Sequence, residues 1–152
     1  MSYLSVAWLS FVFALSSPAV KNVEKAFLLN NTDFLEECLS RDGRTLIALP
    51  APLSFSDQLT SQQTVFLFKD IFASFETLEF FPEKSPVVLG SGVGFILKAR
   101  WSFRDRRTRD LHVLRVFFYF KPAPPAAGRG RPPRTVDPGS LWEIAAVKAV
   151  LI

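Results

Sequence analysis

GFILKARWSFRDRRTRDLHVLRVFFYFK, residues 94–121, reads as two strands and the turn that joins them. In the first half Phe95, Leu97, Ala99, Trp101 and Phe103 alternate with Lys98, Arg100, Ser102 and Arg104, the period-two pattern of a strand with one buried and one wet face. With Arg107 and Thr108 as the hairpin tip, Phe103 falls opposite His112 and Trp101 opposite Leu114. That register turns His112, Leu114, Val116, Phe118 and Phe120 toward the core. It leaves Leu111, Val113, Arg115, Phe117 and Tyr119 on the other face, which is far less polar than a solvent face should be.

Outward from this hairpin, further strands are predicted at about 45–49, 77–81, 86–90 and 141–151. If Trp142 and Ile144 point inward on the last of these, Ala145, Val147 and Ala149 extend the apolar outer face. Thr60 followed by Gln63 has the form of a capping box, so a helix should run from there to about Phe75, with Val65, Phe68, Ile71, Phe72 and Phe75 on its apolar stripe. Ser17-Pro18 starts an earlier helix reaching about Leu29, and a second, over 34–40, ends before Gly43. Residues 122–140, PAPPAAGRGRPPRTVDPGS, hold six of the 11 prolines and form a long loop without periodicity. The pattern is α+β: a helical hairpin and a longer helix packed on a curved antiparallel sheet.

At 152 residues, 49% hydrophobic and with 16 Phe, the chain is sized for one core, expected over 17–152. Residues 3–15, YLSVAWLSFVFAL, are apolar and too short to span a bilayer; Ala14 and Ser16 suit a cleavage site, so 1–16 read as a signal peptide and the protein as exported, periplasmic or secreted. One cysteine and one histidine exclude an internal disulfide and a Cys₂His₂ zinc set, and the sequence calls for no metal and no cofactor. Cys38 lies on the apolar stripe of 34, 35, 38 and 39 and reads as a small buried hydrophobe.

The order of elements, carried by NNTDFLEECLS (30–40), LIALPAPLSFSDQLTSQQTVFLFKDIF (46–72), the 95–120 hairpin and LWEIAAVKA (141–149), resembles the nuclear transport factor two-like (cystatin-like cone) superfamily, and within it small, often exported bacterial proteins. The resemblance implies a cone-shaped sheet closed by helices. It does not imply a function, because that superfamily hosts isomerases, dehydratases, binding modules and assembly domains. Its catalytic members place a carboxylate or a His–Asp pair inside the cone. The residues here that could serve are His112, at the rim of the inner face, and Asp57, in the approach to the long helix. For both, a structural role is the reading the pattern favours.

Trp101, Phe103, Leu114, Phe118 and Trp142 are the residues that would line a pocket for a small apolar ligand, and aromatics at strand spacing also serve as core. Gly90 to Gly94 precedes a strand, not a helix, and reads as a turn instead of a phosphate loop. Charge is uneven: residues 1–97 carry six Lys or Arg against ten acids, net −4, and residues 98–152 twelve against four, net +8. Arg104, Arg106, Arg107 and Arg109, with Arg129, Arg131 and Arg134, could meet a polyanion, but no aromatic interleaves them and Asp105 and Asp110 dilute the first group. The leading expectation is a non-catalytic binding or assembly domain that dimerises through Val113, Arg115, Phe117 and Tyr119. The alternative is a cofactor-independent lyase or isomerase working from His112 or Asp57.

Overall fold

A computed structural model describes residues 18–90, 92–123 and 142–152. The signal-peptide expectation for 1–16, and Arg129, Arg131 and Arg134, lie outside the described residues. Helix α1, Pro18–Leu28, buries Ala19, Val20, Val23, Ala26 and Phe27 on one face. It ends on Asn30 in the left-handed region, φ 49, with the Asn30 N–H on the Phe27 carbonyl at 3.3 Å and the Asn31 N–H on the Ala26 carbonyl at 2.9 Å. This is a Schellman stop, with asparagine in the place glycine usually takes.

Helix α2 is shorter and earlier than its apolar spacing suggested. It covers Thr32–Glu36, capped by the Asn31 side chain, which accepts from the Asp33 N–H at 2.9 Å. The chain then leaves the helix because Cys38 and Leu39 are recruited to the sheet: Leu39 bridges Ile144, and the Ile144 N–H donates to the Cys38 carbonyl at 2.8 Å. Helix α3, Ser61–Ser74, has the expected capping box, with the Gln63 N–H on Thr60 Oγ1 at 3.3 Å and the Thr60 N–H on Gln63 Oε1 at 3.0 Å. Thr64, Val65, Phe68, Ile71 and Phe72 form its buried face.

The strands are β1 Arg44–Leu49, β2 Phe55–Thr60, β3 Phe75–Pro82, β4 Val87–Gly90, β5 Gly94–Asp105, β6 Leu111–Pro122 and β7 Trp142–Leu151. They form one sheet in the order β2-β1-β7-β6-β5-β3, with β4 also paired to β5. The sheet is mixed and not wholly antiparallel, because β1 inserts beside β7 in parallel, Ile47 opposite Val147. β2 was not legible beforehand: Ser56, Asp57 and Gln58 are exposed polar residues at the sheet edge, which gives the segment almost no hydrophobic signal.

The central hairpin has the expected register, with Phe103 opposite His112 and Trp101 opposite Leu114. The partner strand β7 does not follow simple alternation. Tyr119 pairs with Ala146 but Phe120 pairs with Ile144, so Ala145 is an extra, bulged residue. Beyond it the faces exchange. Val147 and Ala149 point inward and are buried, and Ala146, Lys148 and Val150 take the outer face, which corrects the outer-face assignment of Val147 and Ala149.

Candidate functional site

The space between helices and sheet is where a cone would hold a ligand, and here side chains occupy it. Phe27 projects from α1 into the centre and meets Phe68, Phe72, Phe80, Trp101 and Phe118, with ring centroids 4.7–5.8 Å away, four of the five edge to face. A second layer stacks Phe95 on Phe120 at 4.7 Å, with Trp142 edge-on to Phe95 at 5.1 Å. Trp101, Phe103, Leu114 and Phe118 are each at most 1% exposed. They are core rather than pocket lining, because the helix-borne rings interdigitate with the sheet-borne ones at normal contact distance and leave them no open face. Trp142 alone of that set remains half-buried.

His112 sits at the rim, as its register required, and is half-buried. Its ring stacks on Phe103, 5.4 Å between centroids, and meets Phe75 edge-on at 6.4 Å. Beside it the hairpin is closed by Asp105, whose Oδ1 accepts from the Arg107 N–H at 2.8 Å and the Thr108 N–H at 3.0 Å. The Thr108 and Arg107 N–H groups hold the Asp105 carboxyl below its usual range, with the charges of Arg107 and His112 adding to the effect.

Asp57 is in strand β2 and not in a helix-entry loop; it is exposed, and its Oδ1 accepts from the Gln58 N–H at 2.7 Å. It lies opposite Ile47, which faces Val147, which faces Phe118, six residues along β6 from His112. Three strands and six residues separate the two by about 14 Å across and about 20 Å along the sheet. The fold does not bring them together, and neither reaches the other for proton transfer.

The outer face carries the other expected feature. Val113, Phe117 and Tyr119 are half-buried, with Ile96 beside them on β5 and Ala146 and Val150 on β7. Lys148 Nζ stands 5.3 Å over the Tyr119 ring, and Arg115 Nε is 4.0 Å from Glu83 Oε1, a solvated pair of little energetic weight. Arg106 is drawn back onto α3: its N–H donates to the Ser74 carbonyl at 3.0 Å and its Nη2 to the Phe72 carbonyl at 3.3 Å. The hairpin arginines are therefore divided between the end of α3, the tip and the outer face.

Surface clefts among the described residues include the following two. An apolar one of about 290 Å³, lined by Val20, Lys21, Pro82, Lys84, Pro86 and Leu97, separates α1 from the β3–β4 connection. A more polar one of about 400 Å³ lies where the α1–α2 turn meets the end of α3. Neither had a signal in the sequence, since each is assembled from separate elements. No group of three or more His, Cys, Asp or Glu that could hold a metal occurs among the described residues. No described helix is long and apolar enough to cross a membrane. Gly90, Gly92 and Gly94, all at positive φ, form the β4–β5 turn, as their spacing before a strand suggested.

This architecture of the described residues, with three described helices on one face of a curved mixed sheet, is that of the nuclear transport factor two-like cone. A DUF4783 family protein from Bacteroides uniformis matches 87% of this chain and 95% of its own at TM-score 0.61 and 10% identity. A ketosteroid isomerase-like protein from Erwinia carotovora atroseptica matches 89% and 91% at TM-score 0.60 and 12% identity. An NTF2-like protein of unknown function in nutrient uptake from Rhodospirillum rubrum matches 88% and 95% at TM-score 0.58 and 14% identity. At such identities the likeness establishes the fold alone. No family model matches the chain, and no curated protein does.

Proposed function

We propose that this chain is a non-catalytic binding and assembly domain of the NTF2-like fold, exported from the cytoplasm, that pairs with a second copy of itself through the outer face of its sheet. The observation that carries this is the row Val113, Phe117 and Tyr119 on β6, widened by Ile96, Ala146 and Val150, on the side of the sheet away from the described helices. An apolar patch of this kind is stabilised by burial at roughly 25 cal/mol per Å², and a twofold copy supplies a self-complementary cover. Lys98, Arg100 and Arg115 would form its polar rim, opposite Glu79 and Glu143 of either subunit.

The aromatic filling of the cone supports a binding or assembly role over an isomerase or lyase, because a substrate inside would have to displace packed rings. Sedimentation of the mature protein tests the pairing: a dimer at micromolar concentration is expected, split by Phe117→Glu with the circular dichroism unchanged. A wild-type monomer at high micromolar concentration overturns it. Export rests on the apolar run 3–15 and the small residues Ala14 and Ser16. N-terminal sequencing after expression from the native start should begin near Ser17, and a retained Met1 in cytosolic protein overturns that part.

A further inference from the structure

The apolar row on the outer face of the sheet is interleaved with cations. Phe117 on β6 stands opposite Lys98 on β5 and opposite Lys148 on β7, so a lysine flanks the ring on either side in one row across three strands. In the adjacent row Arg100 faces Arg115, a like-charged cross-strand pair of the kind that destabilises a sheet. The ion pair found among the described residues is Arg115 with Glu83, at 4.0 Å. Lys148 Nζ leans over the Tyr119 ring, 5.3 Å from its centroid, a contact that orients the ammonium and leaves its charge in place.

Pairing of two copies through this face concentrates that charge. For a twofold axis that lies between the two sheets and passes through Phe117, symmetry decides what meets. An axis along β6 sets Lys98 against the partner's Lys148, and an axis across the strands sets Lys148 against the partner's Lys148. Packed sheets are about 10 Å apart, within the joint reach of two lysine side chains. Water leaves as Phe117, Tyr119 and Ile96 are covered, and two ammonium groups enclosed there without a counter-ion are costly. Glu79 lies in the row of Val113 and Glu143 in that of Lys121, each four residues along β6 from Phe117, so these carboxylates answer charge at the borders of the face and not in its middle.

We propose that the paired face takes up a divalent oxyanion, phosphate or sulfate, between lysines of the two copies, so that the anion and the second copy bind together. This rests on the pairing proposed above, and the site is incomplete in one copy alone. By linkage, the anion tightens pairing by the factor with which it prefers the pair to the single chain.

Sedimentation equilibrium of the mature protein at fixed ionic strength, with chloride replaced stepwise by sulfate or phosphate in the low-millimolar range, too dilute for general salting-out, tests this. The dimer dissociation constant should fall about tenfold or more as either oxyanion is added. Lys148→Gln, at an exposed position, should pair more tightly than the wild type in chloride and lose the oxyanion effect, with the circular dichroism unchanged. A dimer equally strong in chloride and in sulfate overturns the anion site and leaves the pairing standing. An oxyanion effect kept in full by Lys148→Gln also overturns the site, and a monomer in every buffer overturns the pairing and this inference with it.

Discussion

The Trp101 indole Nε1–H donates to Thr77 Oγ1 at 2.9 Å, across the β5–β3 pair. The contact depends on a bulge: Thr77 pairs with Phe103 and Glu79 with Ser102, so Leu78 is the extra residue, and Phe80 then falls opposite Trp101. Trp101 is a large apolar side chain with a single polar atom, and Thr77 is what allows that atom to be buried. Thr77→Val keeps the shape and removes the acceptor. It should destabilise the domain by about 1–3 kcal/mol in urea unfolding. The same substitution made on Trp101→Phe should cost far less, since no donor is then stranded.

Phe27 is the only ring from α1 in the central cluster, and it touches aromatics from α3, β3, β5 and β6. Removing it opens a cavity that helices fixed by their own caps cannot collapse to fill. Phe27→Ala should lower stability by about 3–5 kcal/mol, a large part of what a domain of this size possesses. Phe27→Leu should cost markedly less, which urea unfolding of the pair measures.

Gly94 has φ 132, and a Cβ there would meet the Phe120 carbonyl oxygen in the neighbouring strand. Both backbone strain and a steric conflict with main-chain atoms oppose any other residue. Gly94→Ala should cost more than Gly92→Ala, whose added Cβ meets nothing although its φ of 74 is also positive. Thermal unfolding of the two variants separates strain alone from strain plus clash.

Cys38 is buried, and its Sγ–H donates to the Ala19 carbonyl at 3.5 Å. Burial pushes the thiol up to about 12, with the nearby Glu37 charge adding to it. The native thiol should resist disulfide reagents at pH 8 and react fully in denaturant. The sign of the pH effect follows from the raised value: the unfolded chain loses this proton near the ordinary thiol range and the folded one does not. The Cys38 contribution is thus complete below that range and is lost as pH rises through it toward about 12. Cys38→Ala should flatten stability against pH in that window.

Several features were decided by the sequence alone because their signals are local. Alternation from Phe95 to Phe103, the Thr60–Gln63 capping box and the six-residue span Asp105–Asp110 specify a strand face, a helix start and a hairpin register without reference to anything distant. Cys38 and the glycine turn were legible for the same reason. Tertiary structure alone decided the rest. The bulge at Ala145 exists because Ile144 is held inward, opposite Phe120 and bonded to the Cys38 carbonyl, and that contact exchanges the faces of Val147 and Ala149. The same recruitment ends α2 early. Strand β2 is specified by pairing with β1 and not by its own exposed residues. Whether the cone is open or filled depends on how far Phe27, Phe68 and Phe80 reach from three elements into one volume, and the polar cleft likewise joins Asn30, Lys69 and Arg106 from separate parts of the chain. A periodic pattern reports which face a residue occupies. The volume left between faces is a property of all the side chains at once, and only the folded chain sums them.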